Sequence, residues 1–178
     1  MPRLLGFFDE FGHQSGRATG PLRSQVRASG EPDEARIVEY LDTGHRLTHF
    51  MEAGFDVLTG EAHRHTSGCS SLVTDGLWVW RADFAHYLET YHVPLPAAFT
   101  ARVRRLDHRM PDLVGADFAP VHDELVRAFG WTGVEPWDVT SVLRPGPRAV
   151  ATRAEFVARV RRERPAGPWG KAPRKPRR

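Results

Sequence analysis

The chain has 178 residues, enough for one buried core, and its 40% hydrophobic and 26% charged residues are the usage of a folded domain rather than a disordered segment. No stretch approaches the ~20 consecutive apolar residues of a membrane helix, Asp9 and Glu10 interrupt the apolar start before a signal-peptide core forms, and the single cysteine, Cys69, excludes an internal disulfide; a reducing, cytoplasmic setting without membrane contact is expected. The net charge of +3 hides a division: residues 144–178 hold 12 Lys/Arg against 2 Asp/Glu, a net of +10, whereas residues 1–143 hold 13 against 20, a net of −7.

In chain order, Leu4, Leu5, Phe7, Phe8 and Phe11 form an apolar patch, and Gly12 to Gly30 follows with little periodicity, as a connector does. Pro32-Asp33-Glu34 opens a helix on which Ile37, Val38 and Leu41 recur at helical spacing, with carboxylates in its first turn and Gly44 just past its end. From Arg46 to Thr59, the apolar Leu47, Phe50, Phe55, Val57 and Leu58 among Thr and Gly predict one or two strands broken near Gly54. Ser71 to Trp80 predicts a hairpin, with Asp75-Gly76 as a two-residue type I′ turn that sets Thr74 against Leu77, Val73 against Trp78 and Leu72 against Val79. Both faces are then apolar, so the hairpin is either central with both faces covered or leaves an aromatic face for a partner.

Phe84, Tyr87, Leu88 and Tyr91 make one stripe of an amphipathic helix over 82–91, which Val93-Pro94-Leu95-Pro96 ends. Pro96 suits the first position of a further helix with Phe99, Val103 and Leu106 on one side; His122–Phe129 predicts another, stopped by Gly130. Thr152 and Glu155 form a capping-box pattern for a last helix through Arg164. The expected fold is α+β, a small antiparallel sheet around the 71–80 hairpin with helices packed on one face. It forms a single domain over 1–164, loop-rich at 12–31, with 165–178 as a disordered basic tail.

No phosphate loop, dinucleotide-binding glycine pattern, His-Glu-x-x-His or nucleophile elbow is present, which removes the usual nucleotide-using and hydrolytic classes. No catalytic residue, metal or cofactor is therefore assigned. His63-Arg64-His65 with Cys69 has the donor types of a zinc site, but a second recognised pair at a defined spacing is lacking, and His45 and His49 lie in another segment. Loop histidines beside a buried cysteine are the simpler reading. Trp78, Trp80, Tyr87 and Tyr91 combine large area with polar tips, so they fit core packing or, with Asp83 and Glu89, a partner-binding surface.

Ile37-Val38-Glu39-Tyr40-Leu41-Asp42-Thr43-Gly44, then Leu72-Val73-Thr74-Asp75-Gly76-Leu77-Trp78-Val79-Trp80, the helix Ala82–Val93 and Leu95-Pro96-Ala97-Ala98-Phe99 together resemble a family of small bacterial proteins of actinobacterial type. The family is similar to immunity proteins that neutralise polymorphic toxins. The resemblance spans about residues 1 to 105, with Arg81 where similar proteins often have Pro, and it transfers no catalytic residue. It implies a non-enzymatic protein that covers a toxin, and the acidic body complements a basic one. The alternatives are a metal-dependent protein centred on His63, His65 and Cys69, or one that contacts nucleic acid weakly through its basic tail.

Overall fold

The computed structural model describes residues 2–14, 19–62 and 68–130. They all fall in one compact unit, and the boundary expected at 164/165, the helix expected over 152–164 and the basic tail lie outside them. The fold is α+β, built on a four-stranded sheet: β1 (Arg3–Leu5), β2 (His45–Arg46), β3 (Leu72–Thr74) and β4 (Trp78–Arg81), in the order β1-β4-β3-β2. The antiparallel part was legible, since β3 pairs with β4 and β2 with β3. The apolar start adds a strand that periodicity over three residues could not reveal. β1 runs parallel to β4, Arg3 beside Trp78 and Leu5 beside Trp80, so the sheet is mixed.

The hairpin forms two residues out of the expected register: Thr74 pairs with Val79, Val73 with Trp80 and Leu72 with Arg81. Asp75 causes the shift. Of the two turn residues only Gly76 has a positive φ, 87°, whereas a type I′ turn needs both. Asp75 instead accepts the N–H groups of Leu77 and Trp78 on one carboxylate oxygen, at 2.9 and 2.7 Å, while the Thr74 hydroxyl donates to the Trp78 carbonyl at 2.6 Å. These bonds enlarge the loop. A slip of two leaves every side chain on its face, because strands alternate with period two.

Among the described residues two short 3-10 helices, Asp9–Gln14 and Leu22–Gln25, interrupt the expected connector, and four α-helices flank the sheet: α1 (Glu34–Asp42), α2 (Phe84–Tyr91), α3 (Ala97–Arg105) and α4 (Ala119–Phe129). Pro96 lies just before α3 rather than inside it, and Gly130, at φ 64°, ends α4. On one face of the sheet, Val73, Trp78 and Trp80 meet Ile37 and Leu41 of α1, Tyr87 and Leu88 of α2, and Phe99 of α3. On the other, Leu72 and Val79 meet Phe7, Leu47, Phe118, Val121 and Leu125. The helices thus occupy both faces, not one. Strands that are apolar on both sides cannot leave one side wet, and α4 supplies the second cover.

Gly44 is required by a close approach more than by helix termination. A Cβ there would stand 2.6 Å from Trp80 Cζ2 and 3.1 Å from Val73 Cβ. The same indole donates to the Leu41 carbonyl at 3.2 Å, so the bare backbone lets α1 hand the chain to β2 directly over Trp80.

The strands expected over 46–59 do not form beyond β2; residues 47–62 carry a single isolated bridge, Phe55 to Ala62. Side chains take the backbone donors that a ladder would use. The Thr48 hydroxyl accepts Leu72 N–H, Ser71 accepts Phe50 N–H, and Asp56 accepts those of Leu58 and Thr59.

Candidate functional site

The residues expected to meet a partner are mostly interior. Trp78, Trp80, Asp83 and Tyr87 are buried, Tyr91 is half-buried, and Glu89 alone of the six is exposed. Both indoles lie edge-on to Phe99, at centroid separations of 5.5 and 6.2 Å. Asp83 holds Arg81 by two bonds, Nε to Oδ1 at 2.9 Å and Nη2 to Oδ2 at 2.6 Å, and the guanidinium lies 4.0 Å over the Phe11 ring. The Arg81 that departs from the resembling pattern thus carries a buried ion pair, which a proline could not. The large aromatics are core, because two apolar strand faces demanded fillers for both sides of the sheet.

At the closed end of the hairpin, fully buried Asp75 also receives the Tyr40 hydroxyl and Arg102 Nε on its second oxygen, each at 2.7 Å. Burial and the neighbouring carboxylate push the Tyr40 hydroxyl well above its ordinary value. Asp75 therefore does more than shape the turn that its Asp-Gly pair predicts. The same carboxylate ties the turn to α1 and α3.

At the open end, Asp56 organises a second node. Oδ1 accepts the N–H groups of Leu58 and Thr59 at 2.8 and 3.2 Å, and Oδ2 accepts His86 Nε2 and the Tyr91 hydroxyl, both at 2.7 Å. Beside it, Val57 N–H donates to the Tyr87 hydroxyl at 3.3 Å. The polar tips of α2 are thus spent on the chain's own loop. Burial alone would raise the Asp56 carboxyl, but the bonds from His86, Tyr91 and the two backbone donors outweigh it and hold it below the usual range. Burial, together with that carboxylate, pushes Tyr91 up to about 12.

An imidazole held by a carboxylate is the arrangement of a proton-transfer pair. Here both Asp56 oxygens are filled by the fold, and His86 Nδ1 stands 3.5 Å from the Thr90 hydroxyl of its own helix. In this geometry the pair acts as a tether. Sequence reasoning missed it by reading 46–59 as strand, although Asp56 three residues before Thr59-Gly60 has the pattern of an aspartate-initiated turn.

Cys69 is buried, and burial, reinforced by the nearby Asp83 and Glu52 charges, pushes its thiol up to about 12, opposite to an activated nucleophile. His63 and His65 lie outside the described residues. His45 is buried with Nε2 2.8 Å from the Pro111 carbonyl, and His49 is exposed, so the two do not share one environment. Among the described residues no group of three or more His, Cys, Asp or Glu is placed to hold a metal ion, and no helix is long and apolar enough to cross a membrane. The chain matches no protein-family model, no curated protein and no solved structure.

Proposed function

We propose that the chain is a non-enzymatic, cytoplasmic binding protein of immunity or antitoxin type, which neutralises a protein toxin by covering its active surface. The observation that carries the reading is that, among the described residues, the buried carboxylates and the cysteine are committed to folding. Asp75 accepts from Tyr40 and Arg102, Asp83 from Arg81, Asp56 from His86 and Tyr91, and the Cys69 thiol is held in its protonated form. The net −7 of residues 1–143 adds a field that would speed encounter with a basic target.

Affinity capture of the tagged chain from the cells that make it, at low and at moderate salt, tests the proposal. One stoichiometric protein that survives moderate salt, and whose toxicity the chain suppresses, is the expected outcome. Recovery of nucleic acid alone, or of no protein, overturns it.

A further inference from the structure

We infer that the loop of residues 48–62, clamped on α2, is the surface that engages the partner, and that the partner presents a basic rim around an apolar site; the inference rests on the binding reading above. Four of the large exposed apolar side chains fall within eight consecutive positions: Phe50 (40% exposed), Met51 (90%), Phe55 (57%) and Val57 (38%). Isolated exposed apolar residues need no explanation, but a run of this density is the composition of an interface centre.

Charge selects the occupant. Residues 47–62 contain no Lys or Arg, while Glu52 and Glu61 are exposed within them. The cation that acts on the loop is the buried Arg81, whose charge helps to lower Glu52, whereas on the α1–α3 side Arg36 pairs with Asp107 and Arg104 with Glu31 and Asp33 at the surface. An acidic rim repels phosphate backbones and anionic lipid. A second copy related by a two-fold axis would oppose like charges across the same patch. A basic protein surface is the one that gains from both the charge and the apolar centre.

The loop is also preorganised. Asp56 joins His86 and Tyr91 of α2 to the 56–59 turn, and the Glu52 carboxylate accepts Ser70 N–H at 2.5 Å, so the loop is fastened at two points. Fastening in advance reduces the ordering that binding would otherwise cost.

The test places a photoreactive residue at Met51 in one variant of the full chain and at Val114 in another. Val114 is 78% exposed and follows Leu113, which contacts the hairpin turn at Gly76, the far end of the strands from Ser71 and the loop. Irradiation in the native cells should cross-link a basic protein from Met51 and not from Val114. That protein, purified, should bind the wild-type chain more weakly as salt rises, and should bind the Phe55→Lys and Glu61→Lys chains, of unchanged melting temperature, about tenfold or more less tightly. Cross-linking from Val114 alone, or full affinity in both variant chains, overturns this surface while leaving the binding reading standing. No protein from either position overturns this surface, and the binding reading falls with it only if affinity capture also recovers no protein.

Discussion

Asp75 takes four hydrogen bonds to its carboxylate without any exposure to water. Replacing it by Ala leaves Arg102 and the Tyr40 hydroxyl facing an apolar gap, and removing one partner of a buried pair costs about 3–5 kcal/mol. The expected result is a lower urea midpoint for Asp75→Ala, with Tyr40→Phe losing about 1.5–3 kcal/mol through one bond to a charged acceptor. At Gly44, the clash at 2.6 Å predicts that Gly44→Ala destabilises by about 1–3 kcal/mol, read in the same titration. Cys69 makes a chemical prediction. With its thiol raised from 9.0 to about 12, it carries about a thousandfold less thiolate than a free cysteine, so a disulfide reagent at pH 8 should label it only as fast as the protein opens.

α2 shows how far an element is legible from its residues. Its stripe of Phe84, Tyr87, Leu88 and Tyr91 was visible as spacing, and those positions do face the core or the loop. What spacing could not show is where a hydroxyl points, since that depends on a loop whose own turn is set by Asp56. The hairpin failed in register for a related reason: the Asp-Gly pair signals a tight turn, but a carboxylate that also serves Tyr40 and Arg102 holds a wider one. β1 was invisible because a three-residue edge strand gains its partner from residues some 75 positions later. All three tyrosines of the chain, Tyr40, Tyr87 and Tyr91, are raised above the ordinary value of 10.0, burial being the leading cause in each. Absorbance near 295 nm should therefore stay nearly flat through pH 10, where a free tyrosine would be half ionised, and rise only as pH approaches about 12 or with unfolding.

For the whole molecule, charge pairing predicts how stability responds to acid. The Asp33 carboxyl is lowered chiefly by its bond from Arg104, which outweighs burial, with His108 adding to it; at Asp56 burial opposes, and the bonds from His86, Tyr91 and the Leu58 and Thr59 N–H groups together lower the carboxyl. A carboxyl depressed in the folded state contributes stability that is fully present above its ordinary value of 3.8 and is lost as pH falls through its folded value. Urea unfolding should be insensitive to these two groups between pH 7 and 5 and should weaken below about 3.8. In an Asp33→Asn, Asp56→Asn double variant the deficit at pH 7 should shrink as the medium becomes more acidic.

The parallel pairing of β1 with β4 also bears on biosynthesis. Leu5 finds Trp80 only after the intervening chain exists, which at about 5–20 residues per second is a wait of roughly 4–15 s. During that interval Leu4, Leu5, Phe7 and Phe8 have no sheet to join, and they form an apolar segment of the kind that holdase chaperones grip. β1, synthesised before the other three described strands, thus docks only once β4 exists, and until then its apolar side chains need cover from elsewhere.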